Sequence, residues 1–131
     1  VSAFKGKGNM DKAIETALRG IETPASVAVT DLSHGRSVIR IRGSAAGDVL
    51  AKGCGLDLHP SAFTSGDCAQ TNLAGIGVLL HAHGNEPHFD LPEFDLLVFD
   101  LYIPRSYALS AWEWLIDAAA EFGCRVAVPE P

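Results

Sequence analysis

Residues 96–104 read Leu96-Leu97-Val98-Phe99-Asp100-Leu101-Tyr102-Ile103-Pro104. On an extended chain Leu97, Phe99, Leu101 and Ile103 share one face, and Asp100 and Tyr102 lie on the other, because successive strand side chains alternate. Leu96 to Ile103 is the strongest strand of the sequence. Pro104, with no N–H to give a ladder, ends it. A helical pattern then runs from about Ser106 to Phe122, and Gly123 closes it.

Upstream, Ala69 to Leu73 and Ile76 to His83 read as two more strands, with Ala74-Gly75 between them as a tight hairpin. Ser37 to Arg42 alternates, Ile39 and Ile41 pointing one way and Arg40 and Arg42 the other, as in a half-buried strand with one wet face. Gly43 breaks it. Ser44 is the expected N-cap of a short helix, Ala45 to Lys52, that buries Ala46, Val49 and Leu50. Gly53-Cys54-Gly55 ends that helix, and the leucines of Leu56-Asp57-Leu58-His59-Pro60 anchor the next connection. Val27 to Val29 is a further short strand, running toward Asp31-Leu32-Ser33, and His34-Gly35 is a turn. Residues 84–93 read as a loop, and Cys124 to Val128 as a last strand stopped by Pro129.

A Gly- and Lys-rich arm opens the chain, followed by a short helix over residues 10–20 with Ile14, Ala17 and Leu18 on one side. Residues 1–24 therefore form an N-terminal arm and helix, and residues 25–131 a single domain. From Val27 the order is strand, strand, helix, three strands, helix, strand. That order predicts an α+β fold, a mainly antiparallel sheet with helices on one face.

The chain has 131 residues, 47% of them hydrophobic, enough for one core. Its formal charge of −6 argues against nucleic-acid and anionic-membrane partners, whose phosphates need a basic surface. The apolar runs fall well short of the roughly 20 residues that span a bilayer. No secretory leader is expected. The odd cysteine count of three, with no Cys-x-x-Cys, fits reduced thiols and a cytoplasmic location.

The last helix carries more apolar surface than one contact requires. At about 100° per residue, Ala108, Trp112, Leu115, Ala119 and Phe122 form one stripe, expected to bury against the sheet. Tyr107, Ala111, Trp114 and Ala118 form a second. Ser106, Glu113, Asp117 and Glu121 are its only polar strip. The second stripe, with Arg105 at its entry, is expected to meet a partner protein, because Trp and Tyr suit interfaces and large bare apolar patches are unusual on monomers.

Catalytic motifs are sparse. Gly43 to Asp48 lacks the Gly-Lys-Ser/Thr of a phosphate loop, and neither Gly-x-Gly-x-x-Gly nor Gly-x-Ser-x-Gly occurs. His81 and His83 share a strand face and His88 follows in the loop. Three imidazoles are a possible metal set, but with no cysteine or carboxylate placed beside them in the strand, the expected reading is a solvated sheet face and no metal. Asp90, Glu93, Asp95 and Asp100 read as a solvated acidic rim. Cys54, next to a helix end, reads as an inert buried thiol. Ser33 and His34 are adjacent and cannot form a relay on a strand.

Certain stretches carry a family likeness. Asp31-Leu32-Ser33-His34, the strand Val38 to Gly43 and the helix with Asp48-Val49-Leu50 resemble the opening of the glycine-cleavage T-protein and its folate-binding relatives. Gly53-Cys54-Gly55-Leu56-Asp57-Leu58-His59-Pro60, Phe63, Thr71 to Ala74, and Tyr102-Ile103-Pro104-Arg105-Ser106-Tyr107 leading into Trp112-Glu113-Trp114-Leu115 are similar to the gamma subunit of heterotetrameric sarcosine oxidase. The likeness covers about Val27 to Phe122.

The resemblance implies half of a T-protein-like folate-binding fold, a strand-strand-helix-three-strand-helix unit with one extra strand. It implies alpha, beta and delta partner subunits. The family demethylates sarcosine oxidatively to glycine, passes the one-carbon unit to tetrahydrofolate and turns oxygen into hydrogen peroxide. FAD, FMN, NAD and the main folate pocket belong to the other subunits, so no catalytic, cofactor-binding or metal residue is expected on this chain. The segment Asn85 to Glu93 is longer than the family leads one to expect. The alternatives are the equivalent subunit of an oxidase or dehydrogenase for N-methylglutamate or dimethylglycine, a stand-alone folate-binding protein, and a metal enzyme using His81, His83 and His88.

Overall fold

Ala74 and Gly75 both have positive φ, 50° and 83°, the backbone of a two-residue hairpin whose twist matches its strands. They join β2 (Cys68–Leu73) to β3 (Ile76–Ala82), with Leu73 opposite Ile76. The computed structural model describes residues 31–83 and 97–127, together with Lys12, Ile14, Thr16, Ala17, Arg19 and Gly20. Among these, β1 (Arg36–Gly43) and β4 (Leu97–Pro104) complete a sheet of order β1-β4-β3-β2, antiparallel throughout. The expected segments 27–29 and 84–93 lie outside the described residues.

Strand alternation sorts the two faces. Ile39 and Ile41 of β1, Phe99, Leu101 and Ile103 of β4, and Val78, Leu80 and Ala82 of β3 point into one hydrophobic core. Onto that face pack α1 (Ala46–Ala51), through Ala46, Val49 and Leu50, and α2 (Ala108–Ala119), through Ala111, Leu115 and Ala118. Phe63 stacks on Phe99 at 6.4 Å between ring centroids. The α+β expectation with helices on one face therefore holds for the described residues.

Some boundaries differ. Ser44 makes no cap; α1 starts at Ala46, and Ala45 at its N-cap offers no side-chain bond. Ser33–Gly35 is a single 3-10 turn, in which the Asp31 carboxylate accepts from the Ser33 N–H at 2.8 Å and from the Ser33 hydroxyl. The last helix divides into 3-10 turns at Arg105–Tyr107 and Ala120–Phe122 around α2. Gly123, at φ 78°, ends it. Residues Cys124 to Ala127 are exposed and form no strand. The first-helix residues Lys12, Ile14, Thr16, Ala17 and Arg19 are helical, with Ile14 and Ala17 exposed.

The orientation of α2 corrects the sequence reading. Its buried arc runs between the two expected stripes, taking Leu115 from the first and Ala111 and Ala118 from the second. Trp112 and Phe122 stay outside at 38% and 45% exposure. Two alanines let the α2 backbone approach α1 closely, and Trp114 lies over Gly53. Helix docking here follows side-chain size, which a periodicity count ignores.

Candidate functional site

The sheet face turned away from α1 and α2 carries a polar row. Arg40 lies directly opposite Asp100, Asp100 opposite His81, and His81 opposite Cys68, one residue from each strand. His83 follows His81 on the same face. Opposed residues on neighbouring strands have Cβ atoms only about 4.5–5.5 Å apart, so register alone assembles this group from positions far apart in sequence.

Asp100 is 2% exposed, the one buried charged residue among those described. The Arg40 guanidinium grips it with both prongs, Nε donating to Oδ1 at 2.7 Å and Nη2 to Oδ2 at 2.9 Å. His83 Nε2 lies 2.6 Å from Oδ2. At that distance a carboxylate oxygen requires the proton on Nε2, so the imidazole donates through that nitrogen. The 3.3 Å approach of Arg40 Nη2 to the same Nε2 is then a packing contact. The His81 and His83 rings lie 4.3 Å apart at 51°.

Burial pushes the Asp100 carboxyl up, but hydrogen bonds and charge from Arg40 and His83 outweigh it, leaving its pKa below the ordinary 3.8. Tyr102 on the same face is raised, first by burial and then by the charges of Asp100 and Cys68, against a smaller opposing effect of Arg40. Asp100 is thus an anion fully occupied by two donors. It is a poor general base and no acid at neutral pH.

The expected solvated rim is corrected here, since Asp100 is buried and paired. His81 and His83 have no cysteine or carboxylate on their own strand, but the neighbouring strands bring Asp100 and Cys68 opposite His81. His88, Asp90, Glu93 and Asp95 lie outside the described residues. Cys54 is buried as expected, with Sγ 3.5 Å from Thr71 Oγ1. Asp57, His59 and Ser61 come together, but Asp57 accepts from the His59 backbone at 3.0 Å and His59 Nδ1 engages Ser61. That arrangement shapes a turn, with the Asp57 carboxylate on the backbone rather than on the imidazole ring.

A second feature is the outer side of α2. Leu109, Trp112 and Ile116 follow one another at helical spacing on the side away from the buried arc; Leu109 is 68% exposed and Ile116 half-buried. Tyr107 and Arg105 are exposed at the entry to this row. Of the other expected partner residues, Ala111 and Ala118 are buried within the chain and Trp114 is half-buried on Gly53. The sequence reading did not group Leu109 and Ile116 with Trp112, although their helical spacing shows the row. No helix among the described residues is long and apolar enough to cross a membrane.

The profile of the sarcosine oxidase, gamma subunit family matches residues 5–121. The chain is similar to the sarcosine oxidase subunit gamma of Corynebacterium sp. (strain P-1), 41% identical over 95 residues that make up 72% of this chain and 41% of that protein. The subunit gamma of an Arthrobacter species is 42% identical over 95 residues, again 72% of this chain and 41% of the relative. The structure resembles a chain of the heterotetrameric sarcosine oxidase from Corynebacterium sp. U-96 in complex with pyrrole 2-carboxylate, with TM-score 0.66 and 35% identity, over 88% of this chain and 54% of that one. The chain spans about two fifths of the length of the curated relatives and about half of the solved chain.

Proposed function

The chain belongs to the sarcosine oxidase gamma subunit family, and we propose that it works as the gamma subunit of a cytoplasmic heterotetrameric sarcosine oxidase, beside alpha, beta and delta subunits. In this reading the complex removes the methyl group of sarcosine oxidatively to leave glycine. Tetrahydrofolate takes the one-carbon unit and oxygen takes the electrons as hydrogen peroxide. FAD, FMN, NAD and tetrahydrofolate are held by the other subunits. Residues 25–131 make up half of a T-protein-like folate-binding fold, and residues 1–24 an arm appended to it.

The family match over residues 5–121 carries this reading. Two features of the chain agree with it. Both oxygens of its one buried carboxylate among the described residues are engaged within the chain, which suits a scaffold. The apolar row Leu109, Trp112 and Ile116, with Tyr107 and Arg105 beside it, is a surface that an assembly would cover. Apolar and aromatic side chains cluster at the centre of protein interfaces.

Co-expression of the four genes tests the proposal. Sarcosine-dependent hydrogen peroxide formation should appear with all four and be lost when this one is left out. Full activity of the other three without it would overturn the reading.

A further inference from the structure

We propose that Cys68, His81 and His83 form a site for a divalent cation of the zinc type on the sheet face turned away from α1 and α2, with Asp100 orienting His83. One thiolate and two imidazoles are a donor set that such ions take in four-coordinate sites, and a fourth position remains for water or a group from another molecule. Cys68 of β2 lies opposite His81 of β3, and His83 follows just past the end of β3. Cys68 is exposed and the two histidines are half-buried, so solvent reaches all three.

The hydrogen bond from His83 Nε2 to Asp100 at 2.6 Å has a second consequence. A metal-binding histidine usually gives its other ring N–H to a carboxylate, which fixes the tautomer and raises the basicity of the free nitrogen. With Nε2 of His83 engaged by Asp100, Nδ1 is the nitrogen left to face an ion. Arg40 cancels the Asp100 charge, so the carboxylate serves as the supporting group and the Cys68 thiolate supplies the negative charge at the ion. One ligand atom each of His81, His83 and Asp100 lies within 4.8 Å of the others, which gathers both histidines at the supporting carboxylate, while the Cys68 thiol, 3.9 Å from the Gly66 carbonyl, joins them by turning away from that contact. Bonds of about 2.0–2.3 Å to one ion then require rotation of the exposed Cys68 and the half-buried His81. Binding exchanges the thiol proton for the metal and releases it to solvent.

The test uses the full chain, stripped with a chelator and titrated with zinc by calorimetry, then with cobalt(II) followed by absorption. The expected result is one saturable equivalent, with a thiolate-to-cobalt charge-transfer band and the strong visible bands of four-coordinate cobalt. C68S should remove the charge-transfer band and H81A should weaken binding by about ten-fold or more. D100N should weaken it by about 10–100-fold while keeping the band, as a supporting residue does. A chain carrying both H59A and C124S should bind as the parent does. Uptake without a single stoichiometric site, or uptake unchanged in both C68S and H81A, would overturn the proposal.

Discussion

The indole of Trp114 lies against the backbone of Gly53, so closely that a Cβ on Gly53 would meet Cζ2 at 2.5 Å and Cη2 at 2.8 Å. Gly53 also accepts a hydrogen bond from the Ala74 N–H at 2.9 Å. One small residue therefore joins the end of α1, the β2–β3 hairpin and the inner side of α2. Its value lies in the missing side chain.

Gly53→Ala should lower stability by about 1–3 kcal/mol, the usual cost of overpacking a close contact. Ala74 N stands 3.1 Å from the same point, so turning the indole away does not relieve the clash fully. Gly35→Ala, where an added Cβ meets nothing within 4 Å, is the control and should change little. Denaturant unfolding of the two variants beside the parent measures the difference.

Asp100 should make stability depend on pH in the acid range. Its folded pKa is depressed below 3.8, so the folded state holds its carboxylate more strongly than the unfolded state does. The contribution is complete above the unfolded pKa and is lost as pH falls through the folded one. Stability should thus decline below about pH 4, and Asp100→Asn should flatten that part of the profile. Arg40→Ala strands a buried carboxylate and should cost about 3–5 kcal/mol at neutral pH, less whatever His83 retains.

Lys52 closes the far end of α2. Its Nζ donates to the Ala118 carbonyl at 2.6 Å and lies 2.6 Å from Glu121 Oε1, over the Phe122 ring. A cation there complements the helix dipole and satisfies an end carbonyl. Lys52→Met should cost about 0.5–1.5 kcal/mol. Glu121→Gln, on an exposed side chain, should cost at most about 1 kcal/mol. Thermal unfolding at low and high salt separates the two, since only the exposed ion pair is strongly screened.

The two sides of α2 should respond differently to substitution. Leu115→Ala opens a cavity in the core and should cost about 2–5 kcal/mol. Leu109→Glu, at a position 68% exposed, should leave the fold of the chain unchanged and reduce the yield of complex recovered with partner subunits. Circular dichroism together with co-purification checks both halves of that statement.

Much of the sheet is legible along the chain because each strand carries its own alternation. Ala74-Gly75 marks the hairpin, and Phe99, Leu101 and Ile103 mark the central strand. The polar row is not legible in the same way. Asp100 sits in sequence among other acids, and the guanidinium that pairs with it belongs to Arg40, sixty residues earlier. Only strand order and register bring them together. The facing of α2 was lost for another reason: hydrophobicity ranks Trp112 and Phe122 above Ala111 and Ala118, whereas close helix approach selects the smaller residues. The segment Cys124 to Ala127 has a strand-like composition yet forms no strand.

Membership of an assembly is tested most directly by native mass measurement of material purified through a tag on this chain after co-expression with its candidate partners. One particle of four different polypeptides, this chain among them and carrying flavin, is the expected result. Recovery of this chain folded, colourless and at its own mass, with the partners expressed but unbound, would contradict it.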